Sequence, residues 1–136
     1  MGYLVLDTDV ASRVQKGTLP QDLQDHLRGN TPCVTFVTVG EFFKGAFKAG
    51  WGPRKMDRLE AWLRNVVVLP YTGDVSRTWG RVCASCEMRG YPIAANDAWI
   101  AACCLSHDLP LMTLNRRHFE PVEELRLVPD RVSLGP

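Results

Sequence analysis

Tyr3-Leu4-Val5-Leu6-Asp7-Thr8-Asp9 is the stretch that decides the fold: a short strand-like run that stops on acidic and hydroxylic side chains. Four more β-rich runs follow, at residues 33–35, 66–69, 111–113 and 125–128, each set apart from the next by a segment of helical period. That alternation predicts an α/β fold with a central, mostly parallel five-stranded sheet flanked by helices. The helical period is carried by three apolar stripes: Val39, Phe42, Phe43, Ala46 and Phe47; Leu59, Trp62, Leu63 and Val66; and Val75, Trp79, Val82, Cys83 and Cys86. The segment 96–107 differs, because Ala98 and Ile100 to Leu105 leave little polar surface on any side, so it is expected to be the central buried helix.

With 136 residues and no repeat, low-complexity tract or linker, the chain is expected to form one domain, 1–136. A hydrophobic fraction of 46% beside 23% charged residues excludes both disorder and a membrane span. The first residues lack the basic start and long apolar segment of a secretory signal, so a cytoplasmic location is expected. Five cysteines, four of them in apolar helix-like segments, fit reduced buried thiols; Cys83-x-x-Cys86 has no second pair at zinc-finger spacing. A net charge of +1 gives no bulk field for gripping nucleic acid, so any such binding must rest on local patches.

Ligands of open parallel sheets gather at the carboxyl ends of strands, so the polar residues just after each run are the candidate site. Asp7, Thr8 and Asp9 follow the first run, and Glu41 lies one turn into the helix after the second. Asp97 stands at the start of the buried helix, and Thr113 and Asn115 end the fourth run. Each has a structural alternative. Thr38-Val39-Gly40-Glu41 matches a capping box with Glu41 at N3, Asp97 suits a helix start, and Asp7 and Asp9 suit a turn and cap. Taken together they place three carboxylates at one sheet edge, where an acid is costly to desolvate unless a metal or donors receive it. Such a set suits Mg²⁺ or Mn²⁺ and phosphodiester hydrolysis.

These residues resemble a PIN domain of the VapC toxin type. The resemblance runs nearly the whole chain and rests on Leu4 to Asp9, on Thr38-Val39-Gly40-Glu41-Phe42 with Lys44-Gly45, on Asn96-Asp97-Ala98-Trp99-Ile100-Ala101-Ala102, and on Leu111-Met112-Thr113-Leu114-Asn115 followed by His118-Phe119. It implies a Mg²⁺- or Mn²⁺-dependent endoribonuclease, usually dimeric, blocked by a cognate VapB-like antitoxin in the acidic groove. Asp7, Glu41 and Asp97 match the three metal-holding acids; Thr8 and Thr113 match supporting hydroxyls, and Asn115 a polar fourth corner. Asp9 stands where Asn is common, and His118 where Asp or Glu usually precedes the Phe, which bears on a second metal position and on pH dependence.

For the RNA, Lys44, Lys48, Arg54, Lys55 and Arg58 form a local basic face beside Glu41, while Arg116 and Arg117 adjoin His118. Trp51, Trp62, Trp79 and Trp99 are candidate base-stacking platforms, but three of them sit in helical stripes and read more easily as core or dimer-interface residues. Two other functions fit parts of the sequence. One is a non-catalytic PIN-like module that binds RNA or a partner. The other is a haloacid-dehalogenase-like phosphatase with Asp7 as nucleophile and Asp9 as acid/base, which lacks a convincing downstream Lys and acidic motif.

Overall fold

A computed structural model describes residues 2–129, so the single-domain expectation for 1–136 extends past the described residues at both ends. The strands are β1 (Tyr3–Leu6), β2 (Thr31–Thr35), β3 (Val67–Leu69), β4 (Leu111–Met112) and β5 (Leu127–Val128). The helices are α1 (Thr8–Lys16), α2 (Gln21–Leu27), α3 (Phe36–Lys48), α4 (Pro53–Arg64), α5 (Gly73–Met88), α6 (Ala95–Ser106) and the single turn α7 (Arg116–Phe119). The five strands lie in the order β3-β2-β1-β4-β5, and every neighbouring pair is parallel.

Period-2 alternation divides the core between the two sheet faces. Val5, Cys33 and Leu111 point into one cluster with Val75, Val82, Ile100 and Cys104 from α5 and α6. Leu4, Leu6, Val34 and Met112 point into the other, with Val10 and Ala11 of α1 and Leu23 of α2, and with Phe42 and Trp62 packed against them. Both faces are therefore covered, as expected for strands read as near-continuous apolar runs. Helix α6 is the central helix: Ala98 and Ile100 to Cys104 are all buried. Its small residues allow close approach to the sheet, and Trp99 stacks on Trp79 of α5 at 4.8 Å between ring centroids.

The chain runs outward from β1 through β2 to β3 and then returns to place β4 on the other side of β1. That reversal opens a crevice at the carboxyl ends of β1 and β4, where an open α/β sheet places its ligand site.

The structure departs from the sequence reading in three places. Helix α3 begins at Phe36, with Thr35 as its N-cap accepting from the Thr38 amide, so the capping box at Thr38 is overturned: Glu41 lies in the second turn and caps nothing. The end of the second run at residue 35 matches the end of β2, and the Thr35 hydroxyl both closes the strand and starts the helix. Phe47, assigned to the buried stripe, is 73% exposed, because the C-terminal end of α3 runs past the sheet. Helix α2 was not anticipated at all.

Candidate active site

Asp7 sits where β1 becomes α1, and the backbone there explains its geometry. As N-cap of α1 it accepts the Val10 amide on Oδ1 at 2.8 Å, while Oδ2 accepts the Thr113 hydroxyl at 2.6 Å from just beyond β4. The Thr113 oxygen in turn accepts the Asn115 amide at 2.9 Å. The carboxylate is only 4% exposed, yet both of its oxygens are held. The cap reading of Asp7 is thus correct, and it coexists with a place in the site.

Glu41 approaches from α3. Its Oε1 accepts the Thr8 hydroxyl at 2.6 Å, and Thr8 lies 2.9 Å from the hydroxyl of Thr38. Asp97, in the first turn of α6, has its Oδ2 3.7 Å from Nδ1 of His118 on α7. Asp9, in the first turn of α1, pairs with Arg13 at 3.4 Å on the same helix. Four elements that are remote in sequence therefore meet at one end of the sheet.

Burial pushes the Asp7 carboxyl above the ordinary aspartate value; its bonds to Thr113 and Val10 oppose the shift, and the charges of Asp9 and Asp97 add to it. Burial likewise raises Asp97, with His118 opposing and Glu41 reinforcing. Asp7 thus feels the charges of two other acids, whereas at Asp97 the His118 charge outweighs that of Glu41, so positive charge reaches the site at its Asp97 side. Among the described residues, no group of three His, Cys, Asp or Glu side chains is gathered tightly enough to hold a metal ion as the side chains stand.

Asp7, Thr8, Asp9, Glu41, Asp97, Asn115 and His118 all line one cleft of about 510 Å³, and Thr113 lies beneath it, bonded to Asp7. None of the seven cations read from the sequence as RNA contacts lines it. Lys44 is exposed on α3, and Arg117 is exposed beside a neighbouring shallow hollow. Arg116 is half-buried and donates to the Pro129 carbonyl, turned away from the acids. The cleft instead takes Lys16, Gln15 and Ser12 from α1 and Trp51 from the α3–α4 connection. Sequence reasoning missed these four, and helical spacing was the one available signal: Ser12, Gln15 and Lys16 share a face with Thr8.

Residues 4–125 match the PIN domain family. The chain is 32% identical to "Ribonuclease VapC2" of Haemophilus influenzae over 90% of its own length and 93% of the relative's. It is 28% identical to the "tRNA(fMet)-specific endonuclease VapC" of Shigella flexneri, again over 90% and 93%. Among solved structures, DNA-bound VapBC from Salmonella typhimurium superposes with a TM-score of 0.82 at 26% identity, covering 93% of this chain and 97% of that one. VapBC-1 from nontypeable Haemophilus influenzae gives 0.79 at 26%, with 93% and 96% covered. An acidic cleft at the β1–β4 switch point, held in a parallel five-stranded sheet and accompanied by these likenesses, identifies the chain as a PIN-domain protein of the VapC family.

Proposed function

We propose that this protein is a divalent-metal-dependent endoribonuclease and the toxin of a toxin–antitoxin pair. The observation that carries the reading is the convergence of Asp7, Glu41 and Asp97 on one cleft, with Asp7 and Asp97 raised above the ordinary aspartate value chiefly by burial, and further by Asp9 and Asp97 at Asp7 and by Glu41 at Asp97. Relatives named as VapC ribonucleases support the activity, and VapBC complexes among the structural neighbours support a VapB-like antitoxin as partner. Membership of the PIN family removes the phosphatase alternative.

The donor set is all oxygen, which suits a hard cation such as Mg²⁺ or Mn²⁺, held by Asp7, Asp97 and Glu41 with water completing its shell. When bound, the cation supplies the positive charge that the phosphodiester develops a need for and prepares the attacking water. The chain's own residues do the positioning. Thr113 and the Val10 amide fix Asp7, leaving it no freedom to swing away, and Thr8 holds Glu41 toward the cleft. His118 and Asn115 stand at the rim, where His118 faces Asp97. Among the described residues no helix is long and apolar enough to cross a membrane.

The test is cleavage of labelled RNA with Mg²⁺, Mn²⁺ or EDTA. Discrete cuts with metal, absent in EDTA and in Asp7→Asn and Asp97→Asn, are expected. A folded protein that cuts under none of these conditions is instead the non-catalytic module, binding RNA or a partner.

A further inference from the structure

A second groove of about 420 Å³ opens off the acidic cleft and shares Gln15, Lys16 and Trp51 with it. Its remaining walls are Lys55, Arg58 and Trp62, spaced i, i+3 and i+7 along one face of α4. No carboxylate lines it. Among the described residues, Lys16, Lys55 and Arg58 make no ion pair, in contrast to Arg13, which is matched to Asp9. Trp51 is half-buried, and the Lys55 ammonium stands 5.8 Å from its ring centroid, so the electron-rich face of the indole lies beside a cation.

We infer that this groove holds the single-stranded RNA flanking the scissile bond, with Lys16, Lys55 and Arg58 on its phosphates and a base stacked on Trp51. The inference rests on the ribonuclease reading and names where that substrate is gripped. A polyanion has to be brought to a cleft lined by four carboxylates, and the net charge of +1 supplies no long-range attraction. Unpaired cations on a track that runs into the cleft supply it locally, and the half-buried indole of Trp51, which lines both hollows, adds a sequence-tolerant stacking surface. Of the cations read from the sequence as RNA contacts, the groove keeps Lys55 and Arg58, adds Lys16 and leaves out Arg116, which is committed to the Pro129 carbonyl.

The test measures binding of a fluorescein-labelled single-stranded RNA 12-mer to the full chain by anisotropy, in EDTA and across a salt series. Lys55→Ala/Arg58→Ala is expected to weaken binding tenfold or more and to flatten the slope of log K against log salt by about 1.4, or about 0.7 per phosphate contact. Arg64→Ala/Arg77→Ala, the same charge change at exposed positions outside the groove, is expected to do neither. Trp51→Ala is expected to weaken binding roughly 5- to 150-fold with the slope kept, and Trp51→Phe to recover most of that. Equal effects from the two charge pairs, or none from Lys55→Ala/Arg58→Ala, overturn the inference. So does intact RNA binding by that variant with loss of a co-purified protein partner. Because binding is read without metal, a chain that binds here but cuts nothing refutes the nuclease alone, and metal-dependent cutting with unaffected groove variants refutes the groove alone.

Discussion

Thr8 donates its hydroxyl to Oε1 of Glu41 at 2.6 Å, joining α1 to α3 across 33 positions of sequence. With that proton committed, the 2.9 Å contact between Thr8 and Thr38 is donated by Thr38, giving a short relay from Thr38 through Thr8 to Glu41. The threonine that opens α1, two positions past the strand, is thus what aims the acid of α3.

Thr8→Val and Glu41→Gln separate position from charge. The valine removes the donor and leaves the buried Thr38 hydroxyl without its acceptor, so cleavage is expected to fall about 10- to 100-fold, the usual cost of losing an outer-shell partner of a ligand. Gln still accepts the Thr8 hydroxyl through its amide oxygen but carries no charge, so Glu41→Gln is expected to fold normally and lose more activity than Thr8→Val. Cleavage kinetics with thermal melts check both. Activity retained in Glu41→Gln reduces Glu41 to a packing residue.

The same contact shows what the sequence made legible. Asp7 and Glu41 were readable because each follows a strand-like run within a turn or two, and Asp97 because it opens the all-apolar helix; strand ends and helix starts are local events. The register that brings them together was not, because it depends on β4 returning to the side of β1 opposite β2. The start of α3 was misread for a related reason. Thr35 and Thr38 are both hydroxyl caps by type, and apolar Phe36 and Val37 continue the strand pattern, so only the backbone decides which threonine caps. Lys16 was signalled only by its helical spacing from Thr8, and nothing in its spacing tied Trp51 to the acids, since it meets the cleft from the connection between α3 and α4. Arg116 and Arg117 look alike in sequence, yet one is held by a backbone carbonyl and the other is exposed.

Asp7→Asn is expected to abolish cleavage and yet melt at a higher temperature than the wild type at pH 7 without metal, by roughly 2–4 °C. Burial raises the Asp7 carboxyl above its ordinary 3.8 in the folded chain. A raised acid favours the fold when protonated, so its contribution is present below the unfolded value and is lost as pH climbs through the folded one. Asn accepts the Val10 amide as Asp does and carries no charge against Asp9 or Asp97. The gap between the two melting curves is therefore expected to close as pH falls from 7 toward 4, and a gap that widens on acidification contradicts the sign.

His118→Ala tests what the imidazole beside Asp97 does. The His118 side chain is 61% exposed and makes no bond that holds the fold, so the melting temperature is expected to stay within about 1 °C. Its charge opposes the burial that raises Asp97. Removing it lets Asp97 rise further, so the acid limb of the cleavage profile is expected to move to higher pH while the rate above it changes a few-fold. An unmoved limb means that the 3.7 Å approach does not govern Asp97.

Divalent cation and the fold are expected to be linked through the acids. A ligand that binds only the native state stabilises it by about 2.7 kcal/mol at 100 times its Kd, so Mg²⁺ or Mn²⁺ is expected to raise the wild-type melting temperature by several degrees. Asp7→Asn and Asp97→Asn begin with less mutual repulsion and offer fewer oxygens, so both are expected to gain little from the metal. The order of stability then inverts: Asp7→Asn melts above the wild type in EDTA and below it in saturating metal. Thermal shift in the two conditions checks this crossing. A metal effect equal in all three proteins places the cation elsewhere on the chain and removes Asp7 and Asp97 as its holders.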